Sequence, residues 1–190
     1  QGQLAVVEYL VAHQAAVNRA DNEGLTPLYV AVQRGHLETV QYLVAHGAAV
    51  DLAAQGGATP LYVAAQNGQL GVVQCLVAHG AQVDLAMNDG KTPLWSAAQN
   101  GHLEVVEYLV EHQAAVDLAR NDGGTPLMIA AQNGQLGVVQ CLVAHGAQVD
   151  QTTPEGATPL YVAAAKGQLG VVEYLVEHQA AVDLADKDGR

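Results

Sequence analysis

Six histidines, His13, His46, His79, His112, His145 and His178, recur every 33 residues and are the most regular set of side chains able to bind a metal or move a proton. Zinc holds its ligands about 2 Å from one ion, whereas neighbouring helices pack about 8–10 Å apart. Rungs one unit apart therefore do not share a metal. Each His closes an apolar stripe of helical period, where the helix dipole favours a cation, so the ladder reads as structural. Cys75 precedes His79 by four residues and Cys141 precedes His145 likewise, the spacing that puts a thiol and a base on one helix face. His46, His112 and His178 persist where Tyr42, Tyr108 and Tyr174 fill the same slot, so the slot reads as packing. The two cysteines stand two units apart, beyond the roughly 7 Å Cα limit of a disulfide. Asp51, Asp84, Asp117, Asp150 and Asp183 come one per unit, too sparse for the 6–8 oxygens of a calcium cage, and are expected to close turns. Ser96 is the only serine, and no phosphate-loop, dinucleotide or zinc-protease motif occurs. No catalytic residue, metal or cofactor is expected, and the chain reads as a non-enzyme.

The elements behind this regularity repeat in strict step. Thr-Pro-Leu begins at Thr26, Thr59, Thr92, Thr125 and Thr158; Gly24, Gly57, Gly90, Gly123 and Gly156 stand two residues earlier. A threonine hydroxyl caps a helix and proline suits its first turn, which predicts a helix through Leu28–Gln33 that ends near Gly35. A second helix is predicted over about His36–His46, with Leu37, Val40, Leu43 and Val44 on one stripe, and Gly47 as a left-handed C-cap. Asn-Gly at Asn67, Asn100 and Asn133 falls between two helical stripes and is read as an interhelical turn. The stretch up to the next Gly-x-Thr-Pro-Leu holds too few apolar residues for a helix and is read as an extended, turn-rich hairpin. Over this lies a 66-residue period: residues 64–84 equal 130–150, and 105–119 equal 171–185.

Composition is consistent with a stacked array. Of 190 residues, 50% are hydrophobic with no Phe, so the core is built from Ala, Val and Leu. The net charge of −12 repels phosphate backbones and argues against nucleic acid. No apolar run reaches the length of a membrane span. Two cysteines, with no signal peptide and no N-glycosylation site, fit a cytoplasmic protein or a recombinant fragment.

The unit resembles the ankyrin repeat over essentially the whole chain. Gly24-Leu25-Thr26-Pro27-Leu28, Gly101-His102-Leu103-Glu104-Val105-Val106 and Gly146-Ala147-Gln148-Val149-Asp150 follow the family pattern. Three departures stand out. The family's His after Thr-Pro-Leu is Tyr29, Tyr62, Trp95, Met128 and Tyr161; its loop Asn is Asp except at Asn18; and its C-cap Gly is Gln14, Gln113 and Gln179 in three units. The resemblance implies an all-α solenoid of helix-turn-helix units with extended hairpin loops, forming one domain over 1–190. Residues 1–21 are then a partial repeat, 22–54, 55–87, 88–120, 121–153 and 154–186 complete ones, and 187–190 the start of another.

The resemblance further implies a non-catalytic module that binds a protein partner on a concave face of hairpin tips and first helices. The candidates are the tip residues Asn22, Glu23, Leu25, Asn88, Asp89, Lys91, Asn121, Asp122 and Glu155, with Tyr29, Tyr62, Trp95, Met128 and Tyr161 behind them. Gln33, Gln66, Gln99 and Gln132 continue each stripe at i, i+4, i+8. The aromatic and Met slot is either contact surface or packing. A structural spacer within a longer array, or an engineered scaffold without a dedicated partner, is the alternative role. Glu38, Glu104, Glu107, Glu111, Glu173 and Glu177 predict a basic partner or else serve solubility alone. The ends are read as cut from a longer array, or as disordered. Leu4, Val7, Leu10 and Val11 are expected to lie exposed there and to drive head-to-tail self-association.

Overall fold

A computed structural model describes residues 2–182; Asp183 of the aspartate ladder and the start of a further repeat at 187–190 lie outside the described residues. Eleven α-helices and no strand occur among them. The first is a second-type helix, α1 (Gly2–Ala12); then first-type and second-type helices alternate as α2 (Pro27–Gln33), α3 (Leu37–Ala45), α4 (Pro60–Gln66), α5 (Leu70–Ala78), α6 (Pro93–Asn100), α7 (Leu103–Glu111), α8 (Pro126–Gln132), α9 (Leu136–Ala144), α10 (Pro159–Ala165) and α11 (Leu169–Glu177). First-type helices pack on one another in chain order, second-type helices do the same, and each pair is joined across the two layers.

Each first-type helix starts as the Thr-Pro signal requires. The backbone N–H of Tyr29, Tyr62, Trp95, Met128 and Tyr161 donates to the capping threonine hydroxyl three residues earlier, at 3.0–3.1 Å. An N-cap of this kind contributes about 1 kcal/mol. The helices are only seven or eight residues long, too short to persist alone, and depend on stacking. Ala64, Ala97, Ala130 and Ala163 are fully buried and small enough for one first-type helix to lie close on the next. Leu43, Leu76, Leu109, Leu142 and Leu175, 0–1% exposed, fill the seam between layers, each burial stabilising by roughly 1.5–3 kcal/mol.

The second helices run Leu37–Ala45 and its equivalents, one residue shorter at each end than the spacing predicts, because His36 and His46 stand as caps. Gly47 takes φ +85° as a C-cap; Gln113 in the equivalent place takes φ +68°, a conformation that favours glycine. The interhelical turn is held by glycine. Gly101 has φ +74°, a conformation costly for any residue with a Cβ, and the end of the flexible Gln135 side chain of the following unit lies beside it.

Tyr9, Tyr42, Tyr108 and Tyr174 each stack on the His four residues on, at 3.9–4.1 Å between ring centroids. At the N-terminal end Leu10 is 49% exposed, as expected, but Leu4, Val7 and Val11 are half-buried. The exposed apolar residues of α1 are instead Val6 and Tyr9 beside Leu10, because Val7 and Val11 turn toward the core.

Candidate functional site

The histidine ladder is a set of helix caps. Nδ1 of His13, His46, His79, His112, His145 and His178 lies 2.7–2.8 Å from the carbonyl oxygen four residues earlier. A carbonyl only accepts, so Nδ1 carries the proton and donates. That engages the ring atom nearest Cys75 and Cys141, whose Sγ atoms are 3.9 and 3.7 Å away. Burial pushes the Cys75 thiol up, and burial with the Glu107 and Glu111 carboxylates pushes Cys141 up. Both effects oppose a thiolate nucleophile. Among the described residues no group of three or more His, Cys, Asp and Glu side chains could hold a metal ion.

The aspartates, expected to close their own turns, instead bond to the following unit. The Ala49 N–H donates to Asn18 Oδ1, and the N–H groups of Gln82, Ala115, Gln148 and Ala181 donate to Asp51, Asp84, Asp117 and Asp150, at 2.8–3.3 Å. Each bond spans 31 residues and ties one unit to the next. Asn18 also donates to the Gly47 carbonyl, while Gln82 and Gln148 donate side-chain amides to Asp51 and Asp117.

The hairpin tips form the exposed edge. Backbone bonds Asp21 to Leu25, Ala54 to Ala58, Met87 to Lys91, Arg120 to Gly124 and Thr153 to Ala157 close the five turns. Neighbouring tips are themselves laced: the N–H groups of Gln55, Asn88 and Asn121 donate to the Glu23, Gly56 and Asp89 carbonyls. Asn22, Glu23, Asn88, Asn121, Asp122 and Glu155 are exposed, and Leu25, Asp89 and Lys91 are half-buried. Gln33 and Gln66 are exposed; Gln99 and Gln132 are half-buried.

The aromatic and Met slot lies beneath this edge. Tyr29, Tyr62, Trp95 and Met128 are 8%, 6%, 2% and 4% exposed, and only Tyr161 is half-buried. The expected surface stripe at i, i+4, i+8 does not form. Leu25 precedes the extended N-cap Thr26, so helical spacing does not apply to it. Eight residues at 3.6 per turn also leave Gln33 well off the starting line.

Around Trp95 the structure gathers five of the chain's charged and aromatic groups. Trp95 Nε1 donates to the Gly124 carbonyl at 3.2 Å. The Lys91 ammonium and the Arg120 guanidinium lie 5.4 and 5.3 Å from its ring centroid, within cation–π range. Lys91 pairs with Asp89 at 2.8 Å, and Arg120 with Asp122. The Lys91 and Arg120 partners hold the Asp89 and Asp122 carboxyls low, Asp122 at about 2. Arg120 was not among the sequence candidates. The signal was its rarity, one of seven basic residues in the chain and placed at the base of a tip.

Comparison with known proteins agrees with this architecture. The sequence pattern of ankyrin repeats matches in three overlapping stretches, residues 1–54, 48–121 and 112–188. No curated protein matches the chain. No helix among the described residues is long and apolar enough to cross a membrane. With stacked helix pairs capped by Thr-Pro, histidine-closed second helices and laced hairpin tips, and with the family pattern covering nearly all of its length, the chain belongs to the ankyrin-repeat family, whose members are typically protein-binding modules.

Proposed function

We propose that this chain is a non-catalytic recognition scaffold that binds a protein partner along the row of hairpin tips and first helices. The observation that carries the reading is a contrast between repeated positions. Slots such as Leu61, Leu94 and Leu127 are uniform and fully buried, while the tips carry four different pairs in five units: Asn22-Glu23, Gln55-Gly56, Asn88-Asp89 repeated at Asn121-Asp122, and Pro154-Glu155. The buried Tyr29, Tyr62, Trp95 and Met128 side chains support the tips from behind; Glu23 and Glu155 add negative charge to the edge, while Asp89 and Asp122 are paired with Lys91 and Arg120.

Glu38, Glu104, Glu107, Glu111, Glu173 and Glu177 are all exposed on the second helices. In a chain of net charge −12 this field steers a basic partner, and association slows as salt rises. The test is affinity capture from a native extract with two charge-reversed variants. One carries Glu23→Lys, Asp122→Lys and Glu155→Lys at the tips, and the other carries Glu104→Lys, Glu107→Lys and Glu173→Lys on the second helices. A saturable partner lost only with the tip variant supports the proposal. Equal loss with both, or loss only with the second-helix variant, overturns the assignment to the tips.

A further inference from the structure

Charge is unevenly shared between the two helix layers. The five first-type helices with the turns that follow them, residues 27–36, 60–69, 93–102, 126–135 and 159–168, contain no Asp or Glu, although the whole chain has 19. Their only Lys or Arg residues are Arg34 and Lys166, in the outer units, so the three central units carry neither sign. These units expose amides instead. Gln66, Asn67, Asn100 and Asn133 are exposed, and Gln99 and Gln132 are half-buried. The six side chains stand at or just past the C-terminal ends of α4, α6 and α8. They form a row alongside the hairpin tips, separated from them by the length of one short helix, about 10–12 Å.

Bonds between units hold this row in register. His102 Nε2 lies 3.0 Å from the Gln66 carbonyl, Asn133 donates to the Gln99 carbonyl at 2.8 Å, and Gln168 donates to the Gln132 carbonyl at 3.3 Å. Asn100 donates to the Ser96 carbonyl within its own helix. These bonds use main-chain carbonyls of the glutamines and one side-chain N–H of Asn100 and Asn133, which leaves the glutamine amides and the asparagine Oδ1 atoms for the solvent side. Such groups both donate and accept. A charge laid over them gives up part of its hydration with no opposite charge in the row to replace it, whereas a neutral amide or hydroxyl finds a partner of its own kind. A helix has already spent its N–H and C=O groups on itself, while an extended chain offers one of each per residue. The spacing fits as well: helices pack about 8–10 Å apart and a strand rises about 3.3 Å per residue, so roughly three residues cover one unit and about nine cover the row.

We propose that the amide row takes an extended, uncharged segment of the partner, about nine residues rich in Ser, Thr, Asn or Gln, whose main chain lies across the three central units. The assignment rests on the recognition reading above and narrows it. The partner's basic groups stay outside the row, toward Glu23 and Glu155 at the tips, and the segment between them is neutral.

The probe is a displayed library of random peptides of about twelve residues, selected on the whole chain; enriched peptides are then labelled with fluorescein and titrated by anisotropy. They should share a central run without Asp, Glu, Lys or Arg. Gln66→Ala together with Gln99→Ala should weaken them at least about fivefold, with thermal unfolding unchanged because both side chains reach solvent. Gln99→Glu should weaken them too, and should strengthen the same peptide carrying one central Lys. A charged central run, no enrichment, or binding that the glutamine variants leave unchanged overturns the proposal. The tip variant, Glu23→Lys with Asp122→Lys and Glu155→Lys, separates the two readings. Peptides lost with the tip variant but not with the glutamine variants overturn the amide row and leave recognition along the tips standing. Peptides lost only with Glu104→Lys, Glu107→Lys and Glu173→Lys overturn both.

Discussion

Replacing Trp95 by Ala tests whether the slot behind the hairpin tips is core. The side chain is 2% exposed, so truncation opens a large hole between adjacent units, a change that costs about 3–5 kcal/mol. Within that sum, the Nε1–H bond to Gly124 contributes about 1 kcal/mol. The Lys91 and Arg120 contacts with the ring add roughly 0.5–1 kcal/mol apiece at such partly exposed sites. For a chain of this size the melting temperature should fall roughly 6–20 °C. Because Gly124 belongs to the next unit, the loss also weakens the coupling between neighbours, and a stacked array should then unfold over a broader transition. Trp95→Phe keeps one aromatic ring but removes both the donor and part of the buried volume, so it should cost about 1–3 kcal/mol, less than Ala. Urea unfolding followed by circular dichroism measures both variants without relying on tryptophan fluorescence. A loss below about 1 kcal/mol for Trp95→Ala, or equal losses for Ala and Phe, would refute the packing argument.

Three further outcomes are expected. Asp84→Ala leaves the exposed Ala115 N–H to water in place of its carboxylate and should cost about 0.5–1.5 kcal/mol; Asp84→Asn should restore stability, since Asn18 shows an amide making the same bond while also donating to the next unit, and denaturation midpoints decide between them. Asp122, at about 2 in the folded chain against an ordinary 3.8, stabilises above about pH 4, and that stability is lost as pH falls toward 2. Because the pair is exposed its amplitude is below about 1 kcal/mol, and Asp122→Asn should flatten the melting curve's pH dependence in this window; an unchanged dependence counts against the pairing. Cys75 and Cys141 should be alkylated more slowly at neutral pH than free cysteine, with Cys141 the slower because Glu107 and Glu111 also oppose its thiolate; mass spectrometry over a time course that shows fast labelling of either would contradict the burial argument.

The local grammar was legible in the chain because its causes are local. Thr26-Pro27 specifies a helix start within three residues, and Gly47 a stop within one, so the helices fall where the pattern puts them. What the pattern could not show are bonds between residues 31–36 positions apart. Asp51 reads as a turn residue until Gln82 N–H is seen to reach it, and nothing near His102 in sequence points to the Gln66 carbonyl. The depth of Trp95 was hidden for a related reason: a stripe drawn along one helix does not register the unit lying across it. The exposed face of α1 was only partly visible: Leu4, Val7, Leu10 and Val11 were expected there, but Val6 and Tyr9 lie exposed beside Leu10 while Val7 and Val11 pack against the core.

Proline at position 154 interrupts the lacing of the tips. Three successive tips receive a backbone N–H from the following unit, the last from Asn121 to the Asp89 carbonyl; proline has no N–H to offer the Asp122 carbonyl. The final unit is thus joined to the array by one seam fewer, while its outward side leaves Leu169 68% and Val176 44% exposed. Amide exchange should register the missing bond: amides at the tip joined by Asp122 and Pro154 should exchange faster than those at the equivalent tip joined by Asp89 and Asn121.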